Sequence, residues 1–217
     1  MSRKLLVRSD RLPYHVTARA NNKEKFHLYG PELWDIVKSE CWTTSLIYGL
    51  EFHAFVLMPN HFHMIVTTPQ DDLGVSMKSF MTNIAKRSNS LSGRSGHLFG
   101  GPYFWSLIQS SRYFGHALKY VFRNPVQAKL CDQVEDHPYG TLQGTIGAAH
   151  LPFPIHFTRT FFEAGLPLDG SNDCLRWLNT PIPQEAEKLI KIGLNRKIFD
   201  KVVERKSRKL TLLDSFY

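Results

Sequence analysis

Apolar and polar side chains alternate through Tyr14-His-Val-Thr-Ala-Arg-Ala20, the period-two pattern of a half-buried strand, and Asn21-Asn22 ends it with loop-forming residues. The period then lengthens. From Pro31, suited to a first helical turn, the residues Leu33, Trp34, Ile36, Val37, Cys41 and Leu46 form one stripe, and Gly49 closes it, which predicts a helix to about Tyr48. Two strands follow, Glu51–Met58 and His61–Thr68, separated only by Pro59-Asn60, and so predict an antiparallel hairpin. Asp71 and Asp72 offer caps for a second helix reaching Leu91, with Phe80, Ile84 and Leu91 turned inward. Ser92-Gly-Arg-Ser-Gly-His97 predicts a loop and Tyr103–Gln109 a strand. Ser110 or Ser111 then caps a third helix that runs to Asn124 and, across Pro125, to Leu130.

The order strand, helix, strand, strand, helix, strand, helix predicts an α+β, ferredoxin-like sandwich, one antiparallel sheet with helices on one face. Gly140 to Pro154 is rich in glycine and proline and reads as a boundary. Residues 1–139 therefore form one expected domain and 140–217 a basic, mostly helical C-terminal extension, with helical content over Pro183–Lys209.

Composition narrows the class. At 42% hydrophobic and 12% aromatic residues, the chain can build a packed core. No apolar run reaches the roughly 18 residues of a membrane span, and the basic N-terminus lacks the apolar segment of a secretory signal. Cys41, Cys131 and Cys174 are widely spaced and odd in number, which suits reduced thiols and a cytoplasmic protein. The formal net charge is +8, and its placement says more: Leu73 to Leu130 holds eight Lys or Arg and no Asp or Glu. A long acid-free stretch suits a polyphosphate partner, because a carboxylate beside a phosphate track repels it.

Two groups of residues carry candidate chemistry. His61-Phe62-His63 on a strand aims both imidazoles to one face and Phe62 to the other, so the pair can chelate one divalent ion. The same pair would serve a zinc hydrolase, and a chain with ten histidines also meets it by chance. The second group is on the third helix, where His116, Tyr120 and Asn124 are four residues apart and share a face. Tyr120, between Lys119 and Arg123, reads either as a nucleophile seeking phosphate or as a half-buried packing residue.

Taken together, these strings resemble the single-tyrosine HUH transposases. His53-Ala-Phe-Val-Leu-Met-Pro-Asn60-His61-Phe62-His63-Met-Ile-Val66 is similar to their metal-binding hairpin. Leu118-Lys-Tyr120-Val-Phe-Arg-Asn124-Pro125-Val-Gln-Ala128 is similar to their catalytic helix, Tyr14-His-Val-Thr-Ala-Arg to their opening strand, and Gly96-His97-Leu98-Phe99-Gly100-Gly101 to their glycine-rich segment. The resemblance spans about residues 13 to 130, in order and spacing, and is nearest to the transposases associated with repetitive extragenic palindromes (REP). Where members often carry arginine after the glycines, this chain has Pro102-Tyr-Phe-Trp105.

The resemblance implies a strand-transferring single-strand DNA endonuclease that binds DNA hairpins and acts as monomer or homodimer, with no membrane. It implies Mg2+ or Mn2+ held by His61, His63 and Asn124, and Tyr120 as the nucleophile of a 5′-phosphotyrosine intermediate. His53 reads either as a residue that orients a metal-binding histidine or as a satisfied structural histidine, and His116, one turn before Tyr120, as an aid to proton transfer. Lys78, Lys86, Arg87, Lys119 and Arg123 read as phosphate contacts or as solvated surface, and His97, Tyr103 and Trp105 as residues that stack on unpaired bases or pack in the core. A hairpin-binding protein without transposition and a nickase of the relaxase or replication-initiator kind remain as alternatives.

Overall fold

The strands form where alternation is clearest. In the computed structural model, which describes residues 5–70, 72–156, 165 and 170–200, these are β1 (Tyr14–Arg19), β2 (Glu51–Met58), β3 (His61–Thr67) and β4 (Phe104–Ile108). A short β5 (Ile198–Phe199) lies parallel to β4, and the sheet order is β2-β3-β1-β4-β5, with the other pairs antiparallel. The expected α+β, ferredoxin-like sandwich is the architecture observed.

The first face of the sheet presents Tyr14, Val16, Phe55, Phe62, Met64 and Val66 to α1 (Pro31–Tyr48) and α2 (Leu73–Ser92). Gly49, in the left-handed conformation at φ 62°, stops α1 as a residue without Cβ can. Asp72 caps α2 by accepting from the Val75 amide; Asp71 lies outside the described residues. Leu46 and Leu91, expected to be buried, are exposed. Leu46 is out of phase with the stripe Leu33, Val37, Cys41 and Thr44, and Leu91 falls in the last turn of α2, beyond the buried Ser88.

Helices also cover the second face, which adds a layer to the one-sided arrangement expected. Ala54, Val56, Met58 and Ile65 make that face apolar, and α3 (Ser111–Gln127) packs on it through Phe114, Ala117, Leu118 and Val121. Nearly every residue of β2 is buried, as befits a strand covered on both sides. The short α4 (Leu142–Thr145) precedes α5 (Asn172–Asn179) and α6 (Gln184–Leu194). Cys174 and Leu178 of α5 and Leu189 and Ile190 of α6 join the same core as α3. The glycine- and proline-rich stretch expected as a boundary runs along the outer edge of β2, with Leu57, Thr141 and His156 amides donating to Tyr139, Phe55 and Phe52 carbonyls. That pairing covers an edge otherwise open to other chains. Of the helical content expected over Pro183–Lys209, residues 201–209 lie outside the described residues. No described helix is long and apolar enough to cross a membrane.

A bulge sets which side chains of β2 face which layer. Phe52 pairs with Val66 and Ala54 with Ile65, so His53 is the extra residue. Its Nδ1–H donates to the His156 carbonyl at 2.7 Å and its Nε2 accepts from the Thr67 hydroxyl at 2.7 Å. His53 is thus a satisfied neutral imidazole at the far end of β3 from His61, and does not orient the His61–His63 pair. Burial pushes its pKa down to about 4, against the opposing hydrogen bond from the His156 backbone. Because the folded value lies below the unfolded 6.5, its contribution is fully present above pH 6.5 and disappears as pH falls towards 4. We expect this single group to remove on the order of 3 kcal/mol across that window. Denaturant unfolding of wild type and His53→Gln at both ends of the window checks this, and equal acid losses in the two proteins would refute it.

Candidate active site

Register brings the polar residues together. In the β1–β3 ladder Thr17 lies opposite His63 and Arg19 opposite His61, so His15, Thr17, Arg19, His61 and His63 share the face that α3 covers. Phe62 points the other way, into the core with Phe55 and Phe80. The ring centroids of His61 and His63 are 4.9 Å apart. Above them α3 brings Tyr120, whose ring centroid is 5.7 Å from that of His63 and 6.5 Å from that of His15. Ser110 caps α3 at its start by accepting from the Tyr113 amide, and α3 continues through Pro125 as expected.

Hydrogen bonds orient both histidines. The Nδ1 of His61 faces the Asn60 side-chain oxygen at 2.6 Å, and the Asn60 amide nitrogen in turn donates to the Lys23 carbonyl. An oxygen partner makes that Nδ1 the donor and leaves Nε2 unprotonated. The Nδ1 of His63 meets Nε2 of His15 at 2.9 Å, with the two rings stacked. Burial lowers the pKa of His61 to about 4, with Arg19 adding to it, and lowers that of His63 well below its ordinary value, with His15, His61 and Arg19 adding. Both imidazoles are therefore neutral at physiological pH, the form that ligates metal.

Two neutral imidazoles whose Nδ1 atoms are engaged fit a first-row divalent ion such as Mn2+; they give Mg2+ no preference by softness. Among the described residues no group of three His, Cys, Asp or Glu side chains is placed to hold a metal together. A metal here would draw on a neutral oxygen such as that of Asn124 or on the substrate. Asn124 stands one turn beyond Tyr120, and its Nδ2 donates to the Tyr120 carbonyl at 2.8 Å. Tyr120 is half-buried, and its pKa rises to about 12, through burial first and then Glu187, against the lowering effects of Asn124 and Arg19.

The remaining expected residues separate. Lys78, Lys86 and Arg87 are on α2, across the sheet from Tyr120, and Arg87 pairs at 2.8 Å with the buried Glu40 of α1. Arg123 is buried, donating to the Leu178 and Asn179 carbonyls at 2.9 and 2.6 Å, where it caps the C-terminus of α5. Lys119 sits 5.1 Å over the Trp177 ring, and its pKa falls to about 8 through burial and then Arg123. His116 is buried beside Tyr113, with ring centroids 6.2 Å apart. His97 lines a cleft of about 200 Å3 between the Asn21–His27 and Arg94–Leu98 segments, together with Lys25, His27 and Arg94. Tyr103 and Trp105 pack against the core of the first face. Replacing Arg123 with alanine should therefore cost on the order of 3 kcal/mol of stability. Denaturant unfolding checks this; unchanged stability would show that the two carbonyl contacts do not hold α5 in place.

Sequence reasoning missed three participants. His15 and Arg19 are alternate polar positions of β1, flanking Val16 and Ala18, which is the signal that could have found them. Glu187, on α6, had no local signal. It reaches Tyr120 electrostatically only because the C-terminal helices fold onto α3.

The fold and site together define a class: a ferredoxin-like α+β domain with a paired-histidine strand facing a tyrosine-bearing helix. No family model matches the chain. Over 116 residues it is 28% identical to the REP-associated tyrosine transposase of Escherichia coli (strain K12), across 53% of this chain and 68% of that protein. Its fold is similar to that of the REP-associated tyrosine transposase solved bound to a REP hairpin, with a TM-score of 0.58 and 20% identity, covering 73% of this chain and 94% of the other. The resemblance to REP-associated tyrosine transposases read from the motifs is borne out by these comparisons.

Proposed function

We propose that this protein is a transposase that binds DNA hairpins and cuts and rejoins the adjacent single strand through Tyr120, with a divalent ion at His61 and His63. The observation that carries the reading is the packing of Tyr120 against His63 on the one sheet face that also gathers His61, His15 and Arg19. The similarity to REP-associated tyrosine transposases supports hairpins as the target.

Tyr120 Oη would attack the scissile phosphorus. The P–Oη bond forms as the P–O3′ bond breaks, giving a 5′-phosphotyrosine and a free 3′-hydroxyl, while the phenolic proton leaves to solvent and the departing oxygen takes one up. The linkage keeps the phosphodiester energy, so a different 3′-hydroxyl can reverse the step and release Tyr120. With a pKa near 12 in the resting site, Tyr120 is protonated and needs positive charge close by to react. A bound Mg2+ or Mn2+ would supply Lewis-acid stabilisation of charge on the phosphate oxygens. His61 and His63 would hold that ion, and Asn124 would offer a third ligand. Arg19, exposed beside His61, would meet the phosphate as the cation of the site. Exposed Lys188, Arg196 and Lys197 would favour the DNA backbone through charge.

Incubation with a labelled DNA hairpin carrying a single-stranded tail, in Mn2+ or Mg2+, tests the proposal. We expect a tail fragment with a free 3′-hydroxyl and a protein adduct that survives denaturation. Tight binding of several such hairpins without any cleavage would instead identify a hairpin-binding protein.

A further inference from the structure

The least explained group in the core is His15. It is 3% exposed, on β1 between Tyr14 and Val16, and its Nδ1 is buried with no hydrogen-bond partner among the described residues. Its Nε2 lies 2.9 Å from Nδ1 of His63, and the rings stack at 5.1 Å between centroids with 23° between planes. A buried polar atom left unpaired costs about 1–3 kcal/mol. An apolar side chain would fill this strand position without that cost, so packing alone does not account for a histidine.

The shared hydrogen allows two arrangements. If His15 donates from Nε2, then His63 carries its proton on Nε2, and that nitrogen cannot ligate a metal. If His63 donates from Nδ1, its Nε2 keeps a free lone pair, and the unpaired group on His15 becomes an Nδ1–H. Only the second matches His61, whose Nδ1 donates to Asn60. We infer that His15 is a positioning residue that holds His63 in the Nδ1-protonated tautomer, so that His61 and His63 present matched Nε2 lone pairs to one divalent ion. The Nδ1 of His61 is fixed by a side chain at the β2–β3 turn and that of His63 by a side chain on β1. The inference rests on the metal reading of the site, but its first test does not.

Long-range proton–nitrogen correlation spectra of the metal-free protein report imidazole tautomers directly. We expect His63 protonated at Nδ1 in the wild type, and a population protonated at Nε2 in His15→Leu. Mn2+ affinity should fall roughly 10–100-fold in His15→Leu, and largely recover in His15→Gln, whose side-chain carbonyl can accept from His63. The leucine variant exchanges one unpaired buried nitrogen for another, so its melting temperature should stay close to that of the wild type. A merely structural histidine predicts the reverse, a lowered melting temperature with Mn2+ affinity intact. Three results would overturn the inference: His63 protonated at Nε2 in the wild type, equal Mn2+ affinity in wild type and His15→Leu, or glutamine as weak as leucine. A wild type that binds no Mn2+ would overturn the metal reading instead, while the metal-free spectrum still decides the tautomer.

Discussion

Replacing both His61 and His63 with alanine should abolish divalent-ion-dependent cleavage, by at least roughly a hundredfold, and leave hairpin affinity nearly unchanged. The reason lies in how the pair is built. Each Nδ1 is engaged, by Asn60 and by His15, so the Nε2 atoms are the groups left to act. Both rings stand on the face away from the main core, and the residue between them, Phe62, keeps its packing against Phe55 and Phe80. The fold should therefore survive, with a modest loss because the buried His15 is left without its partner. Single-turnover cleavage with and without Mn2+, beside hairpin binding and thermal unfolding, makes the test. Cleavage that persists in the double variant with the same dependence on Mn2+ would place the ion elsewhere.

Tyr120→Phe should be the more severe change, lowering cleavage by at least roughly a thousandfold at unchanged stability. Phenylalanine keeps the ring against His63 and His15 and removes only the phenolic oxygen, the proposed nucleophile. Tyr120 is half-buried, and its neighbours pull in opposite directions: Glu187 raises its pKa, and Arg19 and Asn124 lower it. Removing the Glu187 charge would thus ease ionisation, whereas removing the phenol ends it. Metal affinity should stay as in the wild type, which separates loss of the nucleophile from damage to the site. Wild-type cleavage rates in Tyr120→Phe would discard Tyr120 as the nucleophile.

The parts of this site written in short-range periodicity are legible in the amino-acid sequence itself. Period two aims His61 and His63 together, and a spacing of four puts Asn124 one turn from Tyr120. What periodicity leaves open is which face of the sheet each helix takes. The stripe of α3 requires an apolar partner without saying which one, and the answer depends on the second apolar face made by Ala54, Val56 and Ile65. The bulge at His53 turns Ala54 and Val56 to that face, and one inserted residue in a run of buried ones leaves no mark in the alternation. Charge is legible in amount and misleading in place. Lys78, Lys86 and Arg87 belong to the far layer, and Arg123 turns inward to cap α5, a contact between distant segments that no local pattern marks. The resemblance to known transposases located Tyr120 and the histidine pair. The supporting His15, Arg19 and Glu187 come from strand register and tertiary packing.

The most direct test of the central claim is the position of the covalent bond itself. Wild-type protein would be incubated with a tailed DNA hairpin and Mn2+, denatured, digested, and its DNA-linked peptide sequenced by mass spectrometry. One modified peptide is expected, from α3, with the DNA joined through its 5′-phosphate to Tyr120. A linkage to any other residue, a bond through a 3′-phosphate, or cleavage with no adduct at all would contradict the claim.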